Sequence, residues 1–139
     1  VAAFNRFNAL TEDLAEKIHN LGSDTLKVML TNTAPSAANS VKADITEISA
    51  GNGYTAGGTA VTITASSQTG GTYKLVGNDV VFAASGGSIG PLRYAVLYNS
   101  TPAAGNLIGW WDYGSALTLA DGSTLIVDFS ATNGILQIS

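Results

Sequence analysis

Few residues of this chain have types and spacings that do chemistry. His19 is the single histidine and there is no cysteine, which removes thiolate nucleophiles, disulfides and cysteine zinc sites and leaves a Ser/His/Asp triad only one place to form. No such set assembles around His19, which reads as a lone surface or groove histidine near the C-terminal end of a helix, where the dipole favours its charged form. Asp112, Asp121 and Asp128 are the residue type of a glycosidase carboxylate pair. Their context argues against that role: Asp121-Gly122 reads as a hairpin turn, and Asp112 and Asp128 alternate with apolar residues on strands, on solvent or interface faces. Gly51-Asn52-Gly53-Tyr54-Thr55-Ala56 matches the letters of a dinucleotide-binding loop, but residues 60–65 (AVTITA) follow as a strand pattern where that loop needs a helix. It reads as a tight loop between strands. The spacing of a calcium loop occurs nowhere. The expectation is a protein that is not an enzyme, with no catalytic, cofactor-binding or metal-ligating residue and no cofactor.

The aromatic residues carry a stronger signal. Trp110 and Trp111 are adjacent, and successive side chains of a strand point to opposite faces, so both cannot enter one core. Leu107, Gly109, Trp111 and Tyr113 share one face on this pattern, and Ile108, Trp110 and Asp112 the other. The charge of Asp112 marks the second face as non-core. Phe4 and Phe7 are large apolar groups near the start of the sequence, where order has to be imposed by docking. Phe4, Phe7 and Trp110 are therefore the expected interface residues; the alternatives are that Trp110 packs under a loop or the N-terminal helix or stacks on carbohydrate, and that Phe4 and Phe7 close one end of the protein's own sandwich.

The elements that must position these groups divide at Gly22. Before it, Phe4, Phe7, Leu10, Leu14, Ile18 and Leu21 follow helical spacing. A helix over 12–21 is expected, with Thr11 as N-cap, an Asp13–Lys17 pair and Gly22 past its end. Whether residues 4–10 continue it or form a separate arm stays open. After Gly22 the period drops to two in residues 26–31. Residues 32–42 read as a connection, and 43–48 as either a helical turn or an edge strand. Strand patterns recur at 60–65, 72–76, 79–84, 92–99, 107–113, 124–129 and 135–138, separated by glycine-rich turns. About eight strands without helical crossovers predict a mainly β, antiparallel β-sandwich, jelly-roll-like, with one N-terminal amphipathic helix. The 139 residues fit a single domain, with 1–22 as arm and helix. Area scaling gives about 6,700 Å² of folded surface against about 20,000 Å² unfolded, a sufficient core without staples.

Composition limits the partners. Six basic against ten acidic residues give a net charge of −4, the wrong sign for nucleic acid or an anionic membrane. Charged residues are 12% of the chain, where about 25% is usual. From residue 51 onward only Lys74, Asp79, Arg93, Asp112, Asp121 and Asp128 are charged, a surface suited to being covered by neighbours. No signal-peptide pattern or long apolar run is present, so the chain is expected to be soluble where it is made.

Five segments together carry a resemblance: residues 14–32 (LAEKIHNLGSDTLKVMLTN), 53–58 (GYTAGG), 93–99 (RYAVLYN), 107–115 (LIGWWDYGS) and 128–136 (DFSATNGIL). In these the chain resembles a family of small virion structural proteins of tailed bacteriophages. The resemblance implies a capsid decoration or cement protein, made in the host cytoplasm, that binds the capsid exterior and bridges major capsid protein subunits. It also implies self-association as a dimer or trimer. A tail or tail-fibre component with a glycan- or receptor-binding role is the alternative. The shared motifs look architectural, and no catalytic residue carries over.

Overall fold

The computed structural model describes residues 2–139; Val1, the first residue of the expected arm, lies outside them. In chain order the elements are β1 (Phe4–Arg6), α1 (Ala9–Ala15), β2 (Leu26–Thr31), a 3₁₀ turn (Lys42–Asp44), β3 (Thr59–Ala60), β4 (Ile63–Thr69), β5 (Thr72–Gly77), β6 (Val80–Ala83), β7 (Ile89–Asn99), β8 (Leu107–Leu119), β9 (Thr124–Val127) and β10 (Leu136–Ile138). The protein is mainly β, with antiparallel sheets and one helix near the N-terminus. The strands form a five-stranded sheet in the order β1-β8-β7-β2-β3, a three-stranded sheet β10-β5-β4 and a pair β6-β9. Ten strands replace the expected eight because β1 is an edge piece too short to show alternation and the 60–65 segment divides into β3 and the start of β4.

The main core is a sandwich filling. Leu26, Val28 and Leu30 of β2, Ala95 and Leu97 of β7 and Trp111 of β8 meet Leu75, Val80, Phe82 and Val127 from the smaller sheets. β6 shows the underlying alternation plainly, with Val80 and Phe82 buried and Val81 and Ala83 exposed. The total surface is 6824 Å², close to the area-scaling value for this mass.

The larger sheet is buried on its other face as well, which alternation did not indicate. Met29, Val96, Tyr98 and Leu107 form a second cluster with Phe7, flanked by Ile45 and Trp110. The connection after β2 covers it: Leu107 donates its N–H to Ser40, and Asn8 to Ala37. Residues 43–48 supply both readings left open for them, part of the 3₁₀ turn and then an isolated bridge from Glu47 to Thr31.

The N-terminal helix is shorter than expected. Its first helical residue is Ala9, and Asn8 takes the cap position; Thr11 lies inside, donating its hydroxyl to the Asn8 carbonyl. It stops after Ala15 because Lys17 adopts φ +67°, while Ile18 donates to the Asp13 carbonyl and Lys17 to that of Leu14. This is a Schellman ending with lysine where glycine is usual. Gly22 lies in a later turn, and Asp13 faces His19 and Asn106 instead of Lys17. The hydrophobic spacing of residues 4–21 is therefore shared between a strand and one short helix that pack on β8, and a turn that is tied to the end of β7.

The strand pattern expected to end at residue 65 continues in β4 to Thr69, so the turn proper is Gly70-Gly71. Asp121-Gly122 is a turn but not a hairpin, since β8 and β9 belong to different sheets; it carries the chain from one layer to the other. No helix among the described residues is long and apolar enough to cross a membrane.

Candidate interaction surface

β1 lies along the edge of β8, with Phe4 opposite Trp111, Asn5 opposite Trp110 and Arg6 opposite Gly109. Because side chains alternate, Phe4 falls on the Trp111 face, with ring centroids 5.3 Å apart. A Cβ at Gly109 would lie 2.3 Å from the Phe4 ring, so the missing side chain of Gly109 is what admits Phe4 onto the sheet. Phe7, beyond the strand, turns to the opposite face and stacks on Trp110 at 4.6 Å.

These positions correct the expected interface. Phe7 is 0% exposed and belongs to the second core cluster, so it is not a contact residue. Trp110 is half-buried against Phe7, and the face assigned to solvent is itself a core face toward its centre. A register shift between Leu97 and Tyr98 in the β7–β8 pairing also changes the partition. Leu107 now lies with Trp110, and Ile108 with Trp111. Such bulges reverse side-chain parity, and a strict alternation cannot register them. Phe4 and Trp110 are both half-buried, and of the three Phe4 lines two hollows.

Hollows flank residues 2–6 on both sides. One of about 590 Å³ is floored by Phe4, Trp111, Phe129 and Leu136 and rimmed by Asn133 and Gln137. A second, of about 260 Å³, shares Ala2 and Trp111 with it and reaches Ile126 and Asp128. A third, of about 290 Å³, shares Phe4 and reaches Leu10 and Ile138. Among the described residues, three of the four exposed large hydrophobic side chains mark this strip: Ile126 at 53%, its cross-strand neighbour Val81 at 51%, and Ile138 at 38%. Apolar groups gathered beside open grooves, on a chain with so few charges, are what a docking surface requires. Tyr113 borders it, its phenol pushed up to about 12 by burial first and the nearby Asp128 carboxylate second. The sequence signal for Val81 and Ile126 was present, two apolar residues on the outward parity of short strands, but their juxtaposition depends on the β6–β9 pairing.

The residues considered for chemistry are dispersed. Asp112 is held by Arg93 in a two-pronged pair, Nε to Oδ1 at 2.8 Å and Nη2 to Oδ2 at 3.1 Å. Those bonds, then the Gly114 N–H, hold its carboxyl below the usual carboxylate range. Asp121 accepts the Gly86 N–H in the interlayer turn, and Asp128 is exposed after β9. Residues 51–54 close a two-residue turn in which Gly51 and Tyr54 exchange backbone hydrogen bonds, with Asn52 and Gly53 at positive φ. This is the tight loop that was expected. His19 lines an open hollow of about 480 Å³ with Leu14, Ile18 and Asp24, as a groove histidine would, but it lies beyond the helix end with its ring buried, and burial pushes its pKa down against the raising influence of Asp13 and Asp24. No group of three or more His, Asp or Glu among the described residues is placed to hold a metal.

The GYTAGG motif is a clamp. Glu47 accepts the Tyr54 hydroxyl and the Gly57 N–H, Tyr54 accepts the Leu30 N–H, and Tyr98 donates to the Gly57 carbonyl at 2.6 Å. Gly58 presses onto β2, where a Cβ would meet the Val28 carbonyl oxygen at 1.8 Å. Burial first and Glu47 second raise the Tyr54 phenol far above its ordinary value, so it remains a donor. Comparison with protein-family models, curated proteins and solved structures found no match for this chain.

Proposed function

We propose that this protein is a virion structural protein of a tailed phage, a capsid decoration or cement protein that binds the shell exterior and bridges major capsid protein subunits. The observation that carries the reading is where the family-like segments fall. Residues 93–99 and 107–115 lie in the central strands, 53–58 form the clamp on β2, 14–32 run from the helix end into β2, and 128–136 lead into β10. Those segments serve the architecture, and none gathers a nucleophile, base and orienting group. In this reading the protein is not an enzyme and acts by contact alone. Its docking surface is the strip from Ile138 past Phe4 to Ile126 and Val81. Apolar contacts of this kind contribute about 25 cal/mol per Å² removed from water, and symmetry repeats them over the shell.

A tail component that binds a glycan is the second reading. It is favoured by one observation, the aromatic-floored hollow with Asn133 and Gln137 at its rim, a mixture of ring surface and amides that suits a sugar.

The deciding experiment mixes the purified protein with expanded capsids of the phage whose genome encodes it. Stoichiometric binding is expected, lost in a Val81→Ser/Ile126→Ser variant that keeps its unfolding midpoint. Absence of binding overturns the capsid reading, and binding unchanged in the variant overturns the assigned surface. Glycan binding abolished by Asn133→Ala/Gln137→Ala selects the tail reading.

A further inference from the structure

β4 is an edge strand, paired with β5 on one side and, among the described residues, with no strand on the other. From Thr64 to Thr69 every residue is exposed. The β4–β5 hairpin closes on Gly70-Gly71, at φ +60° and +88°, with Thr69 opposite Thr72. In a two-residue hairpin of this kind the closing pair exchanges hydrogen bonds, and every second pair thereafter does the same. Thr69, Ser67 and Ala65 therefore direct their N–H and C=O groups to β5, and Ser66 and Gln68 direct theirs outward. A bulge between Ile63 and Ala65 ends the regular stretch, leaving residues 65–69 as a pairable edge in regular register.

Natural sheet edges are blunted by charge, proline or strong bulging along their length. Residues 65–69 carry no charge and no proline, and residues 48–73 contain no charged side chain at all. That absence decides the occupant. On a molecule of net charge −4, this is a flank on which a second copy meets no like charge along the seam, while Lys74, cross-strand from Ser67, is engaged with the Thr132 carbonyl.

We infer that β4 is a self-recognition edge, pairing antiparallel with β4 of a second copy about a twofold axis through Ser67. In this register Ser66 faces the partner copy's Gln68, Gln68 faces its Ser66, and the two Ser67 residues face each other. The outward groups of 66 and 68 are symmetric about that centre, so both strands satisfy them in one closed, isologous contact. The two three-stranded sheets join into a continuous six-stranded sheet. Side chains at the seam are Ala, Ser, Thr and Gln, small or flexible enough for close strand approach. A five-residue strand pair is smaller than a standard interface, so dissociation constants on the order of 10–1000 µM are expected. This pairing does not depend on the capsid reading, and it uses a surface apart from the Val81–Ile126 strip.

The test uses the full chain in sedimentation velocity up to about 1 mM together with amide hydrogen exchange. A reversible dimer is expected, with the Ser66 and Gln68 amides protected only at high concentration while Ala65, Ser67 and Thr69 are protected at all concentrations. Ser66→Pro removes an outward N–H without touching the β5 ladder and is expected to abolish the dimer. Because proline can disturb the hairpin, Ser67→Asp is the second variant. Its carboxylate faces Lys74 within its own hairpin but faces itself across the axis, so it keeps the monomer fold and weakens the dimer at least tenfold, with recovery in high salt. A monomer at the highest concentration, or a dimer that survives both variants, overturns the inference. Capsid binding with no β4 dimer overturns this pairing and leaves the function untouched.

Discussion

The amide of Asn99 donates through Nδ2 to Nδ1 of His19 at 3.0 Å and to Asp24 Oδ2 at 2.7 Å, while its Oδ1 accepts the Thr101 N–H. That orientation makes Nδ1 the acceptor, so the neutral ring carries its proton on Nε2, toward Asp13 Oδ2 at 3.8 Å. Protonation places a hydrogen on Nδ1 against the Asn99 amide. Turning Asn99 over would break its bonds to both Asp24 and Thr101, so the polar cluster that ties the 17–24 turn to the end of β7 favours neutral His19.

The consequence is an acid-sensitive stability. Burial lowers the folded pKa of His19 below its ordinary 6.5, so the unfolded chain binds the proton more readily. Stability is complete above about 6.5 and is lost as pH falls from there through the folded value. Urea midpoints measured between about pH 7.5 and 5 are expected to fall, and His19→Gln should flatten the profile in that window. A wild-type profile that stays flat there contradicts the cluster as described.

Glu47 should behave as the keystone of the GYTAGG clamp. Glu47→Ala strips the acceptor from the Tyr54 hydroxyl and the Gly57 N–H, and a buried donor left unpaired costs about 1–3 kcal/mol. Thermal unfolding should show a loss of that size, and Glu47→Gln, which keeps an acceptor, a smaller one. Gly58→Ala should be worse than either, because its Cβ collides with the backbone of Val28 at a φ of +80°.

Lys17 offers a change in the stabilising direction. It occupies a left-handed conformation at φ +67° and is exposed, so Lys17→Gly relieves backbone strain without removing a packed side chain. A gain of about 0.5–1 kcal/mol in denaturant unfolding is expected.

Phe7 and Phe4 should separate sharply. Phe7→Ala empties a fully buried site against Met29, Val96 and Trp110 and should cost about 3–5 kcal/mol. Gly109→Ala instead collides with the Phe4 ring and should detach β1 from β8. Hydrogen exchange is expected to speed up at residues 4–6 while the β2–β7 ladder stays protected.

The sequence by itself determined the class of this protein. A period of two after Gly22, glycine-marked turns and the lack of helical crossovers require antiparallel strands packed face to face, because only that arrangement buries one side of each strand and satisfies its backbone. The same pattern located β2, β5, β6, β7, β9 and β10 to within three residues and the start of β8, whose last six residues it missed, and it read Gly51 to Tyr54 as a turn. What it left undecided shares one physical cause: the outcome depended on groups distant in the chain. Phe4 fitted a continued helix or a separate arm alike until β8 supplied a partner strand and Gly109 the room for its ring. Phe7 and Trp110 looked available until the 32–48 connection closed over the outer face, and one bulge exchanged Leu107 with Ile108 between faces. His19 looked solvated until Asn99, eighty residues later, enclosed it. Local periodicity encodes which side of a strand is apolar, whereas the cover for that side is chosen by tertiary packing, where burial free energy outweighs the local preference of any single residue.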